Sequence, residues 1–305
     1  MSFDRQALEA AIQRHGQVAR VLVVAVHGST PREAGASMLV WSDGQSGTIG
    51  GGALEYDATT RARSALNGLN RLDKIPLGPS LGQCCGGAVT LLTETFDAAS
   101  LPKDNRVYLR PLPGPKGDAP HGLADRAVNG PVTANGWIAE PTAPQGMPLW
   151  IYGAGHVGRA IVATLSPLPD WSITWIDIAP DRYPDPVPPR VTQLYANDPA
   201  ALVPHAPIKA AHLILTHSHD LDLALCDALL RRNFASAGLI GSATKWARFQ
   251  SRLRALGHPQ ATIDRITCPI GSPDLGKHPQ AIAIGVAAGL LHRGQQDTNI
   301  AAFQP

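Results

Sequence analysis

Two adjacent thiols are the first residues able to do chemistry. Cys84 and Cys85 sit inside Leu81-Gly82-Gln83-Cys84-Cys85-Gly86-Gly87, where flanking glycines permit unusual backbone angles and leave sulfur accessible, as a buried structural cysteine does not require. Neighbouring cysteines bridge only with backbone strain, and zinc sites space their cysteines further apart. A soft sulfur donor suits a soft metal centre or sulfur chemistry instead. With only Cys226 and Cys268 besides, four cysteines are too few and too irregular for a disulfide framework, so reduced thiols are expected.

A second constellation is Gly153-Ala154-Gly155-His156-Val157-Gly158, directly after the apolar run Leu149 to Tyr152 and at the start of a helical pattern. In that context the first glycine allows a tight turn, the second lets a pyrophosphate approach the backbone, and the third lets helix and strand pack closely. Phosphate would then lie at the helix N-terminus. Asp177 ends the next strand, 19 residues after Gly158, where an acid accepts a ribose hydroxyl. Such loops also persist as packing turns without a ligand.

Thr216-His217-Ser218-His219-Asp220 follows a further strand, which places it at the carboxyl edge where open α/β sheets bind ligands. His217, His219 and Asp222 form a His-x-His-x-x-Asp pattern that can serve a metal; Asp220 capping the next helix is the plainer alternative. Gly28 to Gly35, with Arg32, and Gly47 to Glu55, with Gly51 and Gly52, are small-residue loops able to present N–H groups to an anion. Turn geometry explains their glycines equally well.

The elements that must position these residues alternate along the chain. An amphipathic segment spans Phe3 to His15, and strands are predicted at Val21 to Val26, Ser37 to Trp41 and Ala88 to Thr93, with a helix over Ala53 to Asn67 whose Glu55 and Asp57 suit the first turn. From Pro111 the texture turns Pro/Gly-rich, with one strand, Asn135 to Glu140, before a linker. Beyond it, strands at Leu149 to Tyr152, Ile173 to Asp177, Thr192 to Tyr195, His212 to Thr216 and Gly238 to Ile240 alternate with helices from His156, over Leu221 to Arg232, Thr244 to Leu256 and Gln280 to His292. Such alternation implies a mainly parallel sheet covered on both faces. The expected organisation is an α/β domain over residues 1–140, a linker at 141–148, a Rossmann-like domain at 149–295 and a tail at 296–305.

At 305 residues the chain exceeds the usual ceiling for one core, in agreement with two domains. Hydrophobic residues at 44% and charged residues at 16% exclude a disordered chain. A net charge of +2 without basic patches interleaved with aromatics argues against nucleic acid. The longest apolar stretches, such as Ile282 to Leu291, are broken by glycine and too short to span a membrane. The opening MSFDRQALEA carries acids and no apolar h-region, so no secretory signal is expected and the cytoplasm is the expected location.

Taken together, GSTPREAGASMLV, GTIGGGALE, GQCCGG, YGAGHVGRA, THSHDLD, LIGSATKWARFQSRL and CPIGSPDLGKHPQAIA make the chain resemble the XdhC/CoxI family over nearly its whole length. The resemblance implies a dimeric, cytoplasmic, non-catalytic accessory factor. Such a factor binds molybdenum cofactor (molybdopterin), protects it while a cysteine desulfurase supplies the terminal sulfido ligand, and delivers it to apo-xanthine dehydrogenase. The family's cysteine falls on Cys84 or Cys85, which would lie near molybdenum, with Gly86 and Gly87 beside them, and its Rossmann glycines fall on Gly153, Gly155 and Gly158. The chain departs from the pattern in two places: Gly52-Ala53 stands where CoxI-type relatives often read Gly-Gly-Cys, and Gly285 where relatives often have serine. The competing readings are an NAD(P)-dependent oxidoreductase, a nucleotide-sensing regulator and a metal-dependent hydrolase using His217, His219 and Asp222. For the first, His217 or His219 would act as acid or base, although no Lys, Tyr or Ser is recognisably arranged beside them.

Overall fold

The computed structural model describes residues 3–66, 68, 70–78, 86–103, 106–114, 117–128, 130–142 and 146–301, with backbone alone from 294 onward. The chain forms two compact units, Met1–Gln145 and Gly146–Pro305. The cysteine pair Cys84 and Cys85 lies outside the described residues.

In the first unit, helix α1 (Arg5–His15), capped by the Asp4 carboxylate on the Ala7 N–H, leads into β1 (Val18–His27), followed by β2 (Ser37–Val40), β3 (Gln45–Gly47), α2 (Gly52–Ser64), β4 (Arg71–Pro76) and β5 (Ala88–Phe96). These strands make an antiparallel sheet in the order β3-β2-β1-β5-β4. Alternate residues of β1 go to opposite faces: Ala19, Val21 and Val23 pack with Leu54, Ala58 and Ala62 of α2, while Leu22 and Val24 pack with Leu92 and Ile138. Burial on both faces explains why β1 reads as a continuous apolar run.

The Pro/Gly-rich stretch holds more structure than its single expected strand. Strands β6 (Val107–Pro111), β7 (Val132–Ala134) and β8 (Trp137–Pro141), with the short helix α3 (Leu123–Arg126), form a three-stranded antiparallel sheet in the order β6-β8-β7. A quartet of buried charges ties this sheet to the larger one. Arg20 of β1 clasps Glu140 of β8 with both terminal nitrogens at 3.0 and 2.8 Å, and Arg110 of β6 binds Glu94 of β5 and Glu140 at 2.5 Å each. Burial alone would raise the Glu140 carboxyl, but Arg20 and Arg110 outweigh it and hold it below the ordinary carboxylate range. The Phe3 ring lies under the Arg20 guanidinium at 4.6 Å.

The second unit confirms the Rossmann expectation. Strands β9 (Met147–Tyr152), β10 (Trp171–Asp177), β11 (Val191–Tyr195), β12 (Ala211–Ile214), β13 (Ser236–Leu239) and β14 (Ile266–Thr267) form one all-parallel sheet in the order β11-β10-β9-β12-β13-β14. In sequence terms this is the dinucleotide-fold order 3-2-1-4-5-6. Helices α4 (His156–Leu165) and α8 (Pro279–Ala301) cover one face, and α5 (His219–Leu230), α6 (Ala243–Ala255) and the short α7 (Gln260–Ile263) the other. On this second face Tyr152 OH meets His212 Nδ1 at 3.2 Å among Trp150, Phe234 and Leu229. Burial first, and the Arg232 charge second, push the His212 imidazole down to about 3. Among the described residues no helix is long and apolar enough to cross a membrane.

Candidate functional site

The strand order reverses between β9 and β12, so the loops after their carboxyl ends flank the crevice at which such sheets bind ligands. Gly153, at φ +121°, leaves β9 so close to β12 that a Cβ there would lie 2.3 Å from the Leu215 carbonyl oxygen. A Cβ on Gly158 would lie 2.0 Å from the Gly153 carbonyl, so the third glycine serves the close approach of α4 to its strand. Gly155 is different. A Cβ there would meet nothing within 4 Å, and the helix it precedes has neither a side-chain cap nor an acid in its first turn. Internal packing therefore does not require glycine at 155, and the first-turn N–H groups beside it stand ready for an anion. His156 opens this helix.

Asp177 lies where it was expected, at the end of β10, but its carboxylate is already engaged. Oδ2 accepts the Ala154 N–H at 2.5 Å, Oδ1 accepts the Ile178 N–H at 2.7 Å, and Arg182 Nε stands 2.8 Å from Oδ1. The acid thus braces the glycine loop from within. Arg159 of α4 adds a second brace, donating to the Ala154 and Arg182 carbonyls at 3.0 and 2.7 Å.

His217 lies in the loop after β12 and His219 opens α5, both exposed, whereas Asp222, further along α5, is fully buried. Asp222 Oδ1 accepts the Thr216 N–H at 3.1 Å and the Thr216 hydroxyl at 2.7 Å, while Oδ2 accepts Lys245 Nζ at 2.6 Å. His219 instead sets its ring edge-on to Phe249. Among the described residues no three His, Cys, Asp or Glu side chains gather as a metal site, and the His-x-His-x-x-Asp pattern is not brought together as a ligand set. Asp220 is not the helix cap either. Ser218 caps α5 by accepting the Leu221 N–H, while Asp220 points outward to Arg252. The hydroxyl wins because Asp220 is already the second residue inside the helix, where its side chain cannot reach back to the orphan N–H groups.

Lys245 is the functional-type residue that sequence reasoning missed. It sits on α6, after β13, and its ammonium reaches across to the Thr216 loop. Only the sheet order, which makes β12 and β13 neighbours, joins two segments so far apart in sequence. Cys226 is buried and its thiol is pushed well up by that burial; Cys268 is half-buried, and burial pushes its thiol up to about 11, so both stay protonated at neutral pH.

In the first unit three of the motif loops gather at one end of the five-stranded sheet. A Cβ on Gly87 would lie 2.3 Å from the Ser29 carbonyl and 2.5 Å from that of His27, and one on Gly50 would lie 2.4 Å from Pro31 Cβ. The Gly28 loop with Arg32, the Gly47–Gly52 loop and the Gly86-Gly87 end of the cysteine motif are therefore neighbours. Here β1 emerges from the core, its last three residues being exposed. The anion in the Gly47–Gly52 loop is the chain's own: Glu55 accepts the N–H groups of Ile49 and Gly51 at 3.0 and 3.1 Å and the Thr48 hydroxyl at 2.5 Å. Burial would raise the Glu55 carboxyl, yet these donors hold it below its ordinary value. Arg32 lies 3.4 Å from Glu33.

Residues 149–290 match the family described as the XdhC Rossmann domain, and residues 11–74 match the XdhC and CoxI family; the two matches together take in more than half of the chain. The Escherichia coli (strain K12) protein named uncharacterized protein YqeB is 28% identical over 278 residues, which are 88% of this chain and 42% of that protein. The chain thus spans less than half the length of that relative. A crystal structure described as a xanthine dehydrogenase from Bacillus halodurans is similar at a TM-score of 0.72 and 20% identity over 96% of each chain, a likeness of fold.

Proposed function

Because the chain belongs to the XdhC and CoxI family, we propose that it is an accessory factor of xanthine dehydrogenase maturation. On this reading it binds molybdenum cofactor, protects it while a cysteine desulfurase provides the terminal sulfido ligand, and hands it to the apoenzyme in the cytoplasm, working as a homodimer. The observation that carries this reading is the gathering of the Gly28, Gly50 and Gly87 loops at one sheet end, since Gly87 closes the motif that holds Cys84 and Cys85. Separate motifs brought to one exposed place imply a common ligand.

Molybdopterin offers a phosphate and dithiolene sulfurs, and when bound it supplies the molybdenum centre that the receiving enzyme uses. The thiols of Cys84 or Cys85 suit the soft metal end. Separately, within the second unit, the open space at Gly155 and the uncapped first turn of α4 suit a phosphate group of a ligand of that unit. His217 and His219, exposed on the same carboxyl edge, are available to a bound group. A nucleotide at that edge is the second reading, favoured by the dinucleotide strand order, and it would make the unit a sensor or an NAD(P)-dependent oxidoreductase.

The test is retention of cargo. Protein from a host that makes molybdenum cofactor should carry molybdenum and pterin through gel filtration, and Cys84→Ala, Cys85→Ala or the double variant should lose them with an unchanged thermal melt. Full stoichiometry in all three variants would overturn the role of the thiols.

A further inference from the structure

Three sequence motifs of the second unit lie beyond the glycine loop: the Thr216 motif, the Leu239 to Leu253 segment and the segment beginning at Cys268. The fold brings them together at the carboxyl ends of β12, β13 and β14. Lys245 is the centre of this meeting. Its stem runs over Gly241, where a Cβ would lie 2.7 Å from Lys245 Cδ and 3.5 Å from the Cys268 sulfur, so the glycine makes room for the lysine. The ammonium donates to Asp222 Oδ2 at 2.6 Å and to the Ile240 carbonyl at 2.8 Å, and lies 5.3 Å from the centre of the Phe249 ring. An ammonium has three N–H donors, and the third has no oxygen or nitrogen acceptor among the described residues.

A pair of this kind is costly to bury, and an apolar replacement is commonly neutral or stabilising. A need for mere packing does not explain it. Asp222 is fully buried with three donors, whereas Lys245 keeps 11% of its side chain exposed, so the carboxylate is sealed while the ammonium is not. The two neighbouring thiols are held protonated, which leaves Lys245 and Asp222 as the charges of the cluster.

We propose that Lys245 is a ligand-binding residue of the Rossmann unit, held and aimed by Asp222 and the Ile240 carbonyl, and that it donates its third N–H to an oxyanion, a phosphate or diphosphate oxygen, of a ligand lying along the carboxyl edge from Gly155 to β13. The proposal rests on the reading that this edge takes a phosphorylated ligand. Asp222 and Thr216 are positioning residues: Thr216 fixes Oδ1, which leaves Oδ2 to orient the lysine.

Calorimetric titration of the full chain with inorganic pyrophosphate and with ADP tests it. The wild-type chain should bind at least one of them, Gly155→Val should abolish binding, and Lys245→Met should weaken it tenfold or more, the loss of one charge-assisted hydrogen bond. Lys245→Arg should retain most of the affinity. Binding that is lost in Gly155→Val yet unchanged in Lys245→Met overturns the proposal alone; no binding by the wild-type chain overturns it together with the phosphate reading. If Lys245→Met does not fold, nuclear magnetic resonance of the wild-type lysine ammonium groups replaces it. The Lys245 signal, assigned by its loss in Lys245→Arg, should shift on adding pyrophosphate, and an unmoved signal overturns the proposal.

Discussion

Each unit of this chain buries a cluster of opposite charges, and the two clusters differ in where they sit. Arg20, Glu94, Arg110 and Glu140 lie within strands, all below a tenth exposed and each joined to its neighbours. They bind one sheet to another. Lys245 and Asp222 lie instead beyond strand ends, on two crossover connections, and one of the two is not sealed. Charges sealed within paired strands are architecture, since no ligand can reach them. Charges at the carboxyl edge of a parallel sheet are placed where ligands come.

That contrast can be broken most forcefully at Glu140. Glu140→Gln leaves two buried guanidinium groups with Glu94 as their single anion, so chemical denaturation should show a loss of about 3–5 kcal/mol. Because the Glu140 carboxyl is held below its ordinary range, its contribution is complete at neutral pH and disappears as pH falls below about 4. A loss under 1 kcal/mol would mean that the quartet is not what holds the two sheets.

A smaller effect sharpens the comparison from the other unit, whose interior keeps the buried His212 imidazole neutral. His212 is pushed down to about 3, so below its ordinary value near 6.5 the unfolded chain takes up a proton that the folded chain refuses. Stability should fall by about 2 kcal/mol between pH 7 and pH 5, and His212→Gln should remove that part of the slope. An unchanged slope in the variant would place the pH sensitivity elsewhere.

Features written in consecutive residues were legible in the sequence, and those written across the fold were not. The Gly153 to Gly158 loop declares itself because strand, turn and helix signals follow one another within a dozen residues, and the parallel sheet follows from alternation. Of the three-stranded sheet only β8 was legible, as the strand Asn135 to Glu140; β6 and β7 were concealed by the prolines and glycines that punctuate these short strands. The quartet draws on residues 20, 94, 110 and 140, and Lys245 reaches Asp222 only because β12 and β13 are neighbours; no local pattern encodes either. The Gly47–Gly52 loop shows a third case. Its amides were visible as an anion cradle, but that Glu55, one turn along the following helix, would itself occupy the cradle depends on the loop's path.

If the chain carries molybdenum cofactor to an apoenzyme, as proposed, transfer measures it most directly. Chain loaded with sulfurated cofactor and mixed with apo-xanthine dehydrogenase in the presence of oxygen should restore xanthine oxidation faster, and to a higher yield, than the same amount of free cofactor. A carrier must release its cargo, so its affinity must lie below that of the enzyme, with about tenfold in partition for each 1.4 kcal/mol of difference. If free cofactor reconstitutes the apoenzyme equally well and the chain adds neither rate nor yield, the carrier reading is contradicted.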